Sequence, residues 1–94
     1  MRVRYTLEAI GHIGAIYAYI EARNPEAARR VIARIRATAE QLGEFPHVGH
    51  YGLVAGTREL AVRGLPYIIV HELHVDEVVV IGVFHGAQDR EDGA

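Results

Sequence analysis

The chain has no cysteine, which excludes disulfides and thiolate metal sites and suits the cytoplasm, where we expect it to reside. It has no lysine either. All ten basic residues are arginine, which keeps its charge when partly buried and offers a planar fork to carboxylates and phosphates. That bias is read as a mark of genome base composition and carries no functional reading. No apolar stretch after Met1-Arg2-Val3-Arg4 is long enough for a signal peptide or a membrane span. Internal repeats, low-complexity tracts and linkers are absent too. The net charge of −2 excludes a wholesale electrostatic grip on nucleic acid, so any such contact must come from a local patch.

What is present is the profile of one globular domain over residues 1–94, with 50% hydrophobic and 23% charged residues. A chain this short buries a modest share of its surface, so marginal stability is expected. The alternating segment Arg2-Val3-Arg4-Tyr5 reads as a strand. Thr6 caps a helix in which Ile10, Ile13, Ile16, Tyr17 and Ile20 recur at helical spacing. Asn24 as N-cap, Pro25 at the first helical position and Glu26 in the first turn open a second helix. Its buried stripe runs through Ala28, Val31, Ile32, Ile35, Ala39 and Leu42, and Gly43 is the expected C-cap. Glu44 to Gly56 reads as loop. Thr57–Arg63, Tyr67–His74 and Val78–Phe84 read as strands, with a turn at Gly64-Leu65-Pro66 and a hairpin at Val75-Asp76-Glu77. The last strand is apolar throughout and should be central or covered on both faces. The tail from Gly86 is polar. The fold expected is α+β: an N-terminal strand, then a helical hairpin packed on an antiparallel sheet, in the order β-α-α-β-β-β.

The first helix is more apolar than one buried stripe requires. Gly11, Gly14, Ala15 and Ala18 form a second stripe of small residues, and Glu8 and Glu21 are the only formal charges between Thr6 and Ala22. Two glycines inside a helix cost about 1 kcal/mol each relative to alanine, so a close neighbour should offset them. The second helix, forced near by the short turn, is one candidate. A partner's amphipathic segment is the other, and Tyr19 on the flank favours it. Arg29, Arg30, Arg34 and Arg36 lie outside the second helix's core stripe, with Glu26 and Arg30 at i,i+4 spacing. Such a face is ordinarily solvated, or it pairs with an acidic partner.

The run Arg23-Asn24-Pro25-Glu26-Ala27-Ala28 resembles the inter-helix turn of ParE-type toxins. Phe45-Pro46 with Gly49, Gly56-Thr57-Arg58-Glu59-Leu60, Pro66-Tyr67-Ile68-Ile69-Val70 and Phe84-His85-Gly86-Ala87-Gln88-Asp89 follow in matching order. The chain is thus similar to the ParE/RelE family over residues 1 to about 90. That resemblance implies the toxin of a type II toxin–antitoxin or plasmid-stabilisation system, neutralised by a ParD-like or RelB-like antitoxin in a hetero-oligomer. It implies no cofactor. ParE-like members inhibit DNA gyrase, whereas RelE-like members cut messenger RNA on the ribosome; fold alone does not separate them.

Cutting RNA through the 2′-hydroxyl needs a base, an acid and cations for the charge on phosphorus. By the resemblance, Ile68, Gly86 and Gln88 stand where relatives often carry arginine, and no tyrosine follows Tyr67. Arg58, Arg63 and His85 remain as candidate nuclease groups, a thin set that tilts the reading toward gyrase inhibition. A degenerate toxin that keeps only its antitoxin is the third reading. Arg58, His85, Gln88 and Asp89 are the candidate target-binding residues at the sheet's end, and Gly11, Gly14, Ala15, Ala18 and Tyr19 the candidate antitoxin-binding ones. Bland readings exist for two of them: Arg58 bound to its neighbouring loop, and His85 satisfying loop backbone. His71 and His74 are expected on opposite faces of a strand, and His47 with His50 lacks the further ligands that zinc sites show. No metal site is expected.

Overall fold

The two helices begin where their capping residues stand. In the computed structural model, which describes residues 1–86, the Thr6 hydroxyl accepts from the Ala9 N–H at 3.1 Å and opens α1 (Leu7–Glu21). Asn24 Oδ1 accepts from the Ala27 N–H at 3.0 Å and opens α2 (Pro25–Gln41). Each cap satisfies an amide that the helix itself leaves without a partner. The end of α2 differs from expectation. Its cap is Leu42 in the right-handed conformation, and Gly43 is not a left-handed cap. Gly43 is small for another reason: a Cβ there would stand 2.5 Å from the Met1 carbonyl oxygen, where the first strand passes.

The strands are β1 (Arg2–Tyr5), β2 (His50–Tyr51), β3 (Thr57–Ala61), β4 (Tyr67–Leu73) and β5 (Glu77–His85), forming one sheet in the order β1-β5-β4-β3-β2. The α+β class and the helical hairpin are as expected, but the sheet is mixed. β1 runs parallel to β5, with Arg2 opposite Glu77 and Tyr5 opposite Val80, and the other pairs are antiparallel. Parallel neighbours need a long crossover, which the helical hairpin supplies, and nothing in a four-residue strand announces its direction. β2 lies inside the segment read as loop, because two residues leave no alternation to see.

Cross-strand partners share a face of the sheet, so the register sorts the side chains. Val3, Tyr5, Leu60, Ile69, Val78, Val80 and Val83 point to the helices and pack with Ala9, Ile35, Ala39 and Leu42. Arg2, Arg4, Glu77 and Glu72 fall on the opposite face, where Glu77 bridges Arg2 at 3.2 Å and Arg4 at 3.1 Å. These contacts, the Arg4 hydrogen bond first, hold the Glu77 carboxyl below its ordinary range. β5 is central, as its composition implied. β1 stops at Tyr5, and α1 takes over the edge that it leaves. The Thr6 N–H donates to the Val80 carbonyl at 3.0 Å, and the Val83 N–H donates to His12 Nδ1 at 3.2 Å. Tyr5 ties β1 to α2 by donating to Glu40 at 3.0 Å; burial and then that carboxylate push its hydroxyl up to about 12. Among the described residues no helix is long and apolar enough to cross a membrane.

Candidate functional site

The inner side of α1 is Ala9, Ile13 and Ile16, with Ala9 fully buried. Ile10, expected in the core, is instead 55% exposed: the turn of the helix carries it out of the buried arc that Ala9 occupies. Leu7, Gly11, Gly14 and Ala18 recur at i, i+4, i+7 and i+11 and line the outer side, with Ala15 and Tyr19 beside them, all exposed. Leu7 is 84% exposed. A Cβ built on Gly11 or on Gly14 would meet nothing within 4 Å, so α2 does not pack on this stripe. Of the two occupants that the sequence admits, the structure excludes the intramolecular one. An apolar helix face with no charge between Glu8 and Glu21 stands open.

The arginines of α2 are largely engaged at home. Arg30 meets Glu26 at 3.6 Å, Arg34 donates to the Arg63 carbonyl at 3.0 Å, and Arg36 lies 5.7 Å from the Tyr5 ring centroid. These exposed contacts contribute little stability.

The expected sheet-end residues divide into two places. Arg58 pairs across β3 and β4 with His71, whereas His85 pairs with Tyr67 four residues further along β4 and on its other side. Strand rise and spacing put the two Cα atoms roughly 16 Å apart. Arg58 is bound to its neighbouring loop: it donates to the His47 carbonyl at 3.1 Å, and its guanidinium lies 4.6 Å from the Tyr51 ring centroid. His85 meets Tyr67 edge-on, with ring centroids 5.8 Å apart. Arg63 follows β3 at that same end, since Val62 N–H donates to the Tyr67 carbonyl. Gln88 and Asp89 lie outside the described residues. Thus Arg63 and His85 share an end of the sheet, and Arg58 does not join them.

Sequence reasoning missed Tyr67 as a member of this end. Its hydroxyl is held above the ordinary phenol range, first by burial and then by the neighbouring Tyr19. Tyr19 in turn carries the Arg23 guanidinium 4.5 Å from its ring centroid. The Tyr19 hydroxyl on the exposed flank of α1 is thus near enough to the His85 end of the sheet to act on Tyr67. Of the histidines, His71 is fully buried, His74 follows β4 and meets Glu72 at 2.9 Å, and His47 and His50 are exposed.

Comparison with known proteins matches residues 3–90 to the model of the ParE toxin of type II toxin–antitoxin system, parDE. The chain belongs to the ParE toxin family. A Sinorhizobium fredii protein named "Putative toxin Y4kP" is 41% identical over 87 residues, covering 93% of this chain and 90% of that one. "Toxin RelE2" of Caulobacter vibrioides is 32% identical over 87 residues, covering 93% and 97%. A solved structure of the chromosomal ParDE TA system from P. aeruginosa shares the fold with a TM-score of 0.83 at 20% identity, covering 90% of this chain and 95% of that one. The ParE-family toxin described here thus shares its fold, two helices on a five-stranded mixed sheet, with that solved structure, and an antitoxin is its partner.

Proposed function

We propose that this toxin arrests growth by binding DNA gyrase in the cytoplasm, without cutting RNA, and that its antitoxin lies along the outer face of α1. The observation that carries the first half is the separation of Arg58 from His85. A phosphoryl-transfer centre must hold acid, base and cation around one phosphate at hydrogen-bond range. Roughly 16 Å separates the Cα atoms of Arg58 and His85, and the Arg58 guanidinium is turned to the His47 carbonyl and the Tyr51 ring, so the two do not converge on one. Of the three nuclease candidates, Arg63 and His85 remain at one end of the sheet, with Tyr67 beside His85. The second half draws on the open stripe: Leu7, Gly11, Gly14, Ala15 and Ala18 suit the apolar face of an amphipathic helix, with Tyr19 as an aromatic anchor at its end.

The RelE-like reading, a ribosome-dependent endoribonuclease, draws on the name of the Caulobacter relative and on the meeting of Arg63, Tyr67 and His85 at one end of the sheet. Expressing the chain without antitoxin separates these readings. Trapped gyrase with a DNA damage response is the expected outcome. Cleaved transcripts with gyrase untouched would replace the proposal with the nuclease, and unaffected growth would leave a degenerate toxin that keeps only antitoxin binding.

A further inference from the structure

The edge of β5 changes partners halfway along. β1 covers it from Glu77 to Val80 and stops there. On the other side the register with β4 skips Ile81, a bulge just where the β1 pairing ends. Backbone groups at such an edge need partners, and α1 with its cap supplies them. The Thr6 N–H donates to the Val80 carbonyl at 3.0 Å, and the Thr6 hydroxyl donates to the Ile81 carbonyl at 3.4 Å. Less than two turns further on, His12 Nδ1 accepts from the Val83 N–H at 3.2 Å. A helix histidine thus does for Val83 what a strand carbonyl does elsewhere in the sheet. Its ring lies against Phe84, with centroids 4.8 Å apart. Gly82 leaves the room for this, since a Cβ there would overlap the Phe84 ring and stand 3.4 Å from His12 Cε1.

We infer that His12 is a proton-sensitive latch that holds α1, and with it the proposed seat of the antitoxin, on the edge of β5. A ring nitrogen that accepts from an N–H carries no proton, so the latched ring is neutral with its proton on Nε2. A second proton goes to Nδ1 and turns the acceptor into a donor that faces another donor. The Val83 amide then loses its partner, and the middle of α1 is held by apolar packing alone. The elements packed on α1 bring no second titrating group to this bond. β5 carries none from Val78 to Phe84. On β1, Arg2 and Arg4 meet Glu77, and Tyr5 meets Glu40. On α2, Arg30 meets Glu26, Arg34 and Arg36 meet the Arg63 carbonyl and the Tyr5 ring, and Arg29 acts on Tyr17, across α1 from His12. Glu8 stands one turn before His12 on α1 itself, and His71 lies buried on β4 opposite Val80. The latch stands on these contacts alone. Its consequence for the antitoxin rests on the placement proposed above, because Gly11, Gly14, Ala15 and Ala18 ride on the segment that the latch steadies.

The test is amide hydrogen exchange of the full chain at pH 7.5 and 5.5, either side of the ordinary imidazole range near about 6.5. It is read as the protection factor of Val83 relative to that of Val62, whose N–H donates to the Tyr67 carbonyl at the β3–β4 turn. In wild type this ratio is expected to fall at least tenfold on acidification. His12→Asn places an amide oxygen at the position of Nδ1 and takes no proton at either pH, so its ratio should stay within twofold. His71 is intact in both proteins and cancels from the comparison. His12→Ala should show the low ratio already at pH 7.5. Circular dichroism checks that the variants are folded, and the asparagine variant decides alone if the alanine one is not. A wild-type ratio that does not move with pH overturns the latch, and so does an equal fall in folded His12→Asn. Between the two pH values, antitoxin affinity by calorimetry should weaken at least tenfold more in wild type than in His12→Asn. Equal changes in affinity, with the Val83 ratio falling as expected, overturn the placement of the antitoxin on α1 and leave the latch standing.

Discussion

Replacing His71 with leucine should make the toxin more stable, and increasingly so as the pH falls. His71 is fully buried, and neither ring nitrogen makes a hydrogen bond of good geometry, the Ile69 backbone offering at most a weak one. A neutral imidazole carries one donor and one acceptor. Each buried polar group left unmet costs about 1–3 kcal/mol, and an apolar replacement of similar volume returns less than about 1.5 kcal/mol of that through imperfect fit. The net expectation for His71→Leu is about 1–2 kcal/mol of added stability at pH 7.5. The pH dependence follows from burial and then from the Arg58 charge directly across β3 and β4, which together lower the imidazole pKa in the fold. Between the folded value and the unfolded one of about 6.5, the unfolded chain binds more protons, so wild-type stability falls with falling pH by up to about 1.4 kcal/mol per unit. Below the folded value the loss levels off, and above pH 7.5 it vanishes. Leucine has no proton to bind, so the gap between variant and wild type should widen from pH 7.5 to pH 5.5. Urea unfolding followed by far-ultraviolet circular dichroism at both pH values measures it. A gap that stays constant with pH, or a variant less stable than wild type at pH 7.5, would refute the reasoning.

The open stripe of α1 makes opposite predictions for small and large replacements. Gly11→Ala and Gly14→Ala should each stabilise the isolated toxin by about 1 kcal/mol in denaturant unfolding, because a Cβ at either position meets nothing and alanine is the better helix former. Ala18→Trp should leave the melting temperature of the free toxin unchanged while weakening antitoxin binding at least tenfold by calorimetry; an unchanged affinity removes α1 from the interface. Gly43→Ala should cost about 1–3 kcal/mol, since its Cβ would press on backbone at Met1 that has no rotamer to escape into. Asn24→Ala should cost about 1 kcal/mol by freeing the Ala27 amide, read as a lower urea midpoint at unchanged slope.

What the sequence made legible follows from how local each signal is. Thr6, Asn24 and Pro25 act within three residues of themselves, so both helix starts are legible in the chain alone. The three C-terminal strands are legible from turns and alternation. The direction of β1 is not, because it depends on where the helical hairpin delivers a strand more than seventy residues away. Gly43 shows the same limit in a single residue. A glycine after a helix reads as a left-handed cap, yet its cause is a contact with Met1 across the fold.

The candidate site shows where that limit bears on function. A stripe on one helix is a local pattern, so spacing groups Gly11, Gly14, Ala15 and Ala18. Only the packing of α2 elsewhere reveals that the stripe is open. Arg58 and His85 both stand near strand ends, but the start of β3 and the end of β5, which run the same way with β4 between them, lie at opposite ends of the sheet. The antiparallel register from β3 through β4 to β5 puts Arg58 beside His71 and His85 beside Tyr67. It brings in place of Arg58 a tyrosine that spacing gave no reason to choose. Tyr19 on α1 acts on the Tyr67 hydroxyl, so on the proposed placement an antitoxin segment that runs the length of the α1 stripe ends near the His85 end of the sheet. A single helix laid on α1 would then cover the second of the toxin's polar ends without touching Arg58. On the proposed placement of the antitoxin, substitutions along α1 and at Arg58 are therefore separable, which a site with all four residues together would not allow.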